Sequence, residues 1–267
     1  MHQTYDTPGP VTVSLQVSLA DIEVAVHDEP TTELAISGYD TEAPPRVEVH
    51  PASGGGTRVT IEHKTRKFWA RTLGRGLEVR MTVPRDTAIE GFGGATELQA
   101  RGRLASLAFR TGSGEIRFED VAGDVRLACA SGDIEGGSVG GHLTFKGASG
   151  DIEVREIAGG ATVRSASGDI RIGRLDGSST ITVGSGDIEL RDVGPGTVNV
   201  RAISGDVKAG VREGLGVWMD VSSTSGDVSS VLETDRRADA DPSRPELELT
   251  LNTVSGDVDV ARARTKV

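Results

Sequence analysis

The sequence predicts an all-β protein, a parallel β-helix (β-solenoid) of about 18 residues per coil with an irregular N-terminal β cap. Three observations carry this. First, a four-residue unit recurs: Ser113-Gly114-Glu115-Ile116, Ser131-Gly132-Asp133-Ile134, Ser149-Gly150-Asp151-Ile152, Ser167-Gly168-Asp169-Ile170, Ser185-Gly186-Asp187-Ile188, Ser204-Gly205-Asp206-Val207 and Ser225-Gly226-Asp227-Val228. The serines are 18, 18, 18, 18, 19 and 21 residues apart, and an eighth copy, Ser255-Gly256-Asp257-Val258, follows 30 residues later. Second, glycines punctuate each period about halfway, at Gly123, Gly141, Gly159, Gly177 and Gly194. Third, apolar and polar residues alternate between these turns, as in Ile152-Glu153-Val154-Arg155, the pattern of a strand with one buried face.

A unit of nine residues cannot bury that face alone. Stacking successive periods as parallel strands about 4.8 Å apart buries it in a continuous aliphatic column. One stack is expected to contain Leu127, Phe145, Val163, Ile181 and Val200, another Ile152, Ile170 and Ile188. The six intervals from Ser113 to Ser225 then span roughly 29 Å. On the outer face Glu153, Arg171, Glu189 and Lys208 fall at the same place in consecutive coils, so opposite charges stack.

The chain in order refines this picture. Residues 1–90 are strand-rich but less regular, with alternation at 11–17, a degenerate copy of the repeat at Leu19-Ala20-Asp21-Ile22, and further strands near 34–36, 46–50, 58–62 and 77–83. They read as a β cap continuous with the solenoid of residues 91–267 in one elongated domain. The polar run 233–245 interrupts the period and reads as an excursion from one coil. Leu247, Leu249 and Leu251 resume the alternation. In sequence order, the coil around Val254–Ala261 is the last and uncovered one.

Composition excludes several roles. A formal charge of −11 argues against nucleic acid as a partner, which would call for a basic footprint. The single cysteine, Cys129, excludes an intrachain disulfide and fits a reducing compartment. No apolar run has the length of a membrane span and the N-terminus lacks the pattern of a signal peptide, so the expected location is cytoplasmic, with peripheral membrane contact as an option.

The repeated residues invite chemistry, and the alternatives are structural. Asp133, Asp151, Asp169, Asp187, Asp206 and Asp227 form an expected column, but one acid per copy is a poor ligand set for calcium, which takes six to eight oxygens. Their expected role is to accept hydrogen bonds from backbone amides at turns that Gly132, Gly150, Gly168, Gly186, Gly205 and Gly226 permit. Ser131, Ser149, Ser167, Ser185, Ser204 and Ser225 have no periodic histidine beside them, so they read as turn residues and not as nucleophiles. Cys129 falls on an inward position, and Trp218 and Met219 read as closing the column. No catalytic residue, metal or cofactor is expected. The segment 63–75 is different: Lys64, Arg66, Lys67, Arg71 and Arg75 surround Phe68 and Trp69 without an acid. It is the candidate contact for a protein partner or an anionic membrane surface.

On the tandem Ser-Gly-Asp-[Ile/Val] units of residues 113–258, and on Val211-Arg212-Glu213-Gly214 with Trp218-Met219-Asp220-Val221, the chain resembles the bacterial adhesin-like β-strand-repeat family, also called the toastrack domain, and its actinobacterial members in particular. The resemblance implies a right-handed parallel β-helix and a non-enzymatic role, in a family with no catalytic residues to carry over and associations with cell-envelope stress. The sequence therefore leads to a non-enzymatic scaffold that presents a long sheet to a protein partner. The alternatives are a carbohydrate-binding or carbohydrate-processing β-helix, which needs a local acid cluster over a groove, and a homo-oligomer or filament built by end-to-end strand pairing.

Overall fold

The computed structural model describes residues 1–52, 55–63, 76–232 and 245–263, and the regular elements among them are all strands. They divide into two compact units, Met1–Gly137 and Ser138–Val267.

In the first unit the strands are β1 (His2–Asp6), β2 (Val11–His27), β3 (Thr31–Ser37), β4 (Arg46–Ala52), β5 (Gly56–His63), β6 (Leu77–Pro84), β7 (Ala88–Leu104), β8 (Ser106–Ser113), β9 (Ile116–Val121) and β10 (Val125–Ser131), with β11 (Ile134–Val139) beginning at its end. The long strands β2 and β7 run parallel, Ile22 beside Leu98. The second half of β7 pairs in turn with β9, Leu98 beside Ile116, so the degenerate copy at residues 19–22 occupies the same level of the turn as the regular ones. The first half of β7 pairs with β8, and β8 with β10, which sets Leu127 on Phe109.

The other side of β2 is built differently. It carries β5 and β6 in parallel, and antiparallel strands follow them: β4 on β5, β3 on β6 and β1 on β3. The outer strand β4 bears Arg46, Glu48, His50 and Pro51, with Arg46 and His50 both against Glu48. Charges and a proline discourage further pairing on such an edge.

The second unit contains the regular coils. Its strands alternate between two ladders: β12 (Leu143–Ser149), β14 (Ala161–Ser167), β16 (Ser179–Ser185) and β18 (Gly196–Ser204) in one, and β13 (Ile152–Ile157), β15 (Ile170–Leu175), β17 (Ile188–Val193) and β19 (Val207–Val211) in the other. All pairs are parallel and in register with the repeat: Phe145, Val163, Ile181 and Val200 stack in the first ladder, and Ile152, Ile170, Ile188 and Val207 in the second. These side chains are 0–2% exposed. Glu153, Arg171, Glu189 and Lys208 neighbour one another in the same registers, and the alternation of charge extends to Asp259.

The last two coils do not follow sequence order. The remaining strands are β20 (Val217–Ser225), β21 (Val228–Val231), β22 (Leu247–Ser255) and β23 (Val258–Arg262). β18 pairs with β22 and β19 with β23, while β20 and β21 lie outside them. The chain thus skips one level, builds the outer coil first, and returns to fill the gap. This corrects the expectation that the coil at Val254–Ala261 is the uncovered one. The physical reason lies in the side chains. Leu247, Leu249, Leu251, Val258 and Val260 are all 0% exposed and have neighbouring strands on both sides. The outer coil has Ser230 where the inserted one has Val260, so it loses less by staying at the end.

Candidate interaction surfaces of the two units

The repeated turn is a hydrogen-bonded column. The Asp169 amide donates to Asp151 Oδ1 at 2.9 Å, Asp187 to Asp169 at 2.9 Å, Asp206 to Asp187 at 2.9 Å, Asp257 to Asp206 at 2.9 Å and Asp227 to Asp257 at 2.8 Å. One carboxylate oxygen per coil is therefore committed to the backbone of the next, and Asp169 also accepts from Arg171 at 2.7 Å. Among the described residues no three metal-binding side chains converge. The serines take part through their carbonyls: Gly168 donates to Ser185 O at 2.9 Å and Gly186 to Ser204 O at 3.0 Å.

Cys129 lies inside, 3% exposed, its thiol donating to Ser131 O at 3.1 Å. Burial pushes its pKa above the ordinary thiol value. The folded state therefore favours the neutral thiol. That contribution is fully present below the unfolded thiol's pKa, about 8.5, and is lost as pH rises from there through the folded value. Urea midpoints measured across this range should fall more steeply in the parent than in Cys129→Val.

Arg212 makes the densest ionic contact in the second unit. Its Nη1 donates to Asp176 Oδ1 at 2.7 Å, and its Nε to Asp192 Oδ1 at 2.9 Å. The side chains of all three retain only 25–34% of their exposure. Gly194 makes room for this clamp, because a Cβ there would lie 1.8 Å from Asp176 Oδ1 and 2.6 Å from Arg212 Nη1. Removing one member of a half-buried network strands the others, so Arg212→Ala is expected to lower stability by about 2 kcal/mol. Arg212→Lys should recover only part, since an ammonium cannot span both carboxylates with a planar fork. Urea unfolding of the two variants measures both effects.

The two ladders present contrasting outer faces. The face of β13, β15, β17 and β19 carries charges of both signs: Arg174 contacts Glu156 at 3.8 Å and Asp176 at 3.2 Å, Arg191 contacts Glu189 at 3.0 Å, and Lys208 lies between Glu189 and Asp259 in the register. Arg191 bonds hold the Glu189 carboxyl below the ordinary range. The outward residues of β12, β14, β16 and β18 include no acid, and the acid nearest along this ladder is Glu248 of β22, which accepts from Thr197 at 3.3 Å. These outward residues are Thr144 and Lys146, Thr162 and Arg164, Thr180 and Thr182, and Thr197, Asn199 and Arg201, with small or aliphatic residues at the turn end. Register aligns Lys146, Arg164, Thr182 and Arg201 in one column and Thr144, Thr162, Thr180 and Asn199 in the next. Among the described residues, none of the ion pairs in this unit uses Lys146, Arg164 or Arg201.

The segment singled out by its basic and aromatic residues, Lys64 to Arg75, lies outside the described residues. Trp218 is 53% exposed on the outward face of β20 and does not close the column, and Met219 on the inward side is half-buried. In the first unit a groove is lined by His2, Glu23, Glu33, Arg80 and Arg101, where Arg80 contacts Glu23 at 3.1 Å. Sequence reasoning missed the acid-free face and the Arg212 clamp. The first was detectable by sorting the outward residues of the two half-coils separately. Nothing in the repeat signals the second.

Among the described residues no helix is long and apolar enough to cross a membrane. The family model for Toastrack DUF4097 matches residues 12–261. No match was found among curated proteins. Solved structures similar to the chain include a candidate adhesin from Parabacteroides merdae (11% identity, TM-score 0.46, covering 97% of this chain and 95% of that one). A candidate adhesin from Bacteroides fragilis gives 12%, 0.44, 97% and 96%. A candidate cell adhesion protein from Clostridium sporogenes gives 9%, 0.30, 98% and 99%.

Proposed function

The chain belongs to the Toastrack DUF4097 family, and we propose that it acts as a non-catalytic interaction scaffold whose acid-free sheet face docks an acidic protein partner. The observation that carries this reading is the column Lys146, Arg164 and Arg201 on the face of β12–β18. Among the described residues these cations stand in no ion pair, in a chain of net charge −11 whose opposite face carries charges of both signs. Exposed cations left unpaired in a row favour an anionic surface laid along them. The neighbouring Thr and Asn side chains add hydrogen bonds. No aromatic residue stands on the outward side of β12–β18, Phe145 being buried, and the outward Trp218 two strands further on lies opposite Glu248 and near Asp220, acids that favour a protein partner over an anionic lipid surface.

A non-catalytic role is supported by the turn column, where a carboxylate oxygen of Asp151, Asp169, Asp187, Asp206 and Asp257 is already held by an amide, and by Cys129, whose burial disfavours the reactive thiolate. A single cysteine favours a reducing compartment for this role.

The test places a photo-crosslinking residue at Thr180 on the acid-free face, or at Arg155 on the opposite face, in the native cell. The expected result is a discrete adduct from position 180 that disappears in Lys146→Glu/Arg164→Glu/Arg201→Glu and does not form from position 155. Equal adducts from both faces, or an adduct indifferent to the charge reversal, overturn the reading.

A further inference from the structure

The order of the last two coils leaves an open end, and we infer that it is the contact of a closed, twofold dimer of this chain. The outer coil is β20 and β21. Each has one strand neighbour, β22 or β23, and among the described residues nothing pairs with the other edge. Its inward residues Val217, Met219 and Val221 are only half-buried, where their partners Leu247, Leu249 and Leu251 are 0% exposed. Val228 is 49% exposed and Val231 66%. Among the described residues the aliphatic column thus ends at an exposed coil, whose outer amides and carbonyls have no strand beside them.

Such edges are ordinarily blunted with charge or proline. The β4 edge of the first unit is protected in this way by Arg46, Glu48, His50 and Pro51. The β20–β21 edge is not: the four residues of β21 are Val-Ser-Ser-Val, and Asp220 is the one charge in β20. The ladder Glu153, Arg171, Glu189, Lys208, Asp259 calls for a cation at its next step, yet that position is Ser229.

The edge carries few charges, Asp220 in β20 and Asp227 in the turn before β21, and a twofold register can keep each away from its copy. β20 and β21 lie in opposite ladders of one coil, so a twofold axis perpendicular to both can pair β20 with its copy and β21 with its copy, each antiparallel. A register centred on Ser222 keeps inward residues on the core side. It also sets Asp220 opposite Thr224 of the copy, not opposite itself, and so avoids like charges face to face. The contact is isologous and closes at two chains. A closed dimer therefore replaces the filament among the self-association readings.

Sedimentation equilibrium on the full chain tests the inference. At about 100 µM, a concentration suited to a contact of modest area, the parent should show twice the chain mass. Ser229→Lys/Val231→Lys should show the single mass with an unchanged far-UV circular dichroism spectrum, and a thermal melt that matches the parent's at concentrations low enough for the parent to dissociate. The lysine introduced at position 229 would stack on Asp259 within the chain while setting like charges against a copy. A second measurement reads geometry. In a Cys129→Val background, Ser222→Cys lies near the axis, where facing Cα atoms of an antiparallel pair are about 4.5–5.5 Å apart and can form a disulfide. Oxidation should give a covalent dimer from Ser222→Cys and not from Thr182→Cys, the equivalent position of an inner coil. A monomeric parent, a mass that keeps growing with concentration, a dimer insensitive to the lysines, or equal cross-linking from Thr182→Cys each overturns it. These outcomes are separable from the test of the acid-free face, whose cations lie on β12, β14 and β18.

Discussion

Gly186→Ala is expected to lower stability by at least about 4 kcal/mol, or to prevent folding of the unit of residues 138–267. Two effects act together at this turn. Gly186 has φ +138°, a conformation that L residues rarely adopt. A Cβ there would also sit 2.2 Å from Gly168 O and 2.6 Å from its carbonyl carbon. Neither neighbour can move away, because the Gly168 amide is itself bonded to Ser185 O and the Asp187 amide to Asp169 Oδ1. With coils about 4.8 Å apart, relief at one level would have to be passed to the levels on both sides. Gly216→Ala is the control: nothing lies within 4 Å of its added Cβ, and its cost should stay within about 0.5 kcal/mol. Urea unfolding followed by far-UV circular dichroism compares the two. A Gly186→Ala midpoint close to that of Gly216→Ala would show that the turns tolerate a side chain and that close backbone approach does not dictate the repeated glycine.

The second large effect follows from the coil inversion. Leu251 belongs to the final coil in sequence, where a frayed end would make truncation cheap. In the structure it is 0% exposed, with Val200 on one side and Val221 on the other. Leu251→Ala should therefore cost about 3 kcal/mol, as for a core leucine whose surroundings cannot collapse. Val221→Ala, earlier in sequence but in the outer coil, should cost about 1 kcal/mol or less in the dilute single chain, where one side of Val221 faces solvent. Hydrogen exchange of the dilute single chain offers an independent reading: amides of β22 should be protected more strongly than those of β20. The reverse ranking would mean that the coils stack in sequence order.

The repeat was legible because its signals agree at every level. The 18-residue period sets the register, and the pairs Val163 on Ile181 and Glu189 on Lys208 fall where spacing alone puts them. Turn chemistry was legible for the same reason: a glycine that must take positive φ, followed by an acid that can accept an amide, leaves few other readings. The candidate site was less legible. The basic and aromatic composition of residues 64–75 drew attention to a segment outside the described residues. The acid-free face is dispersed over four strands, and no stretch of sequence is conspicuously basic within it. Trp218 was expected to close the column, but β20 turns it outward, opposite Glu248, and leaves Met219 on the inward side.

By itself the sequence determined the local conformation, the parallel register and the identity of the core, because each of these depends on residues one period apart repeating the same choice. Only the tertiary structure decided the order of the last two coils. After Ser225 the period lapses for 30 residues, and a strand at either level could make the same backbone hydrogen bonds. What separates the two arrangements is which coil has enough aliphatic surface to be covered on both sides. Leu247, Leu249, Leu251, Val258 and Val260 have it, and a coil with serine at position 230 does not.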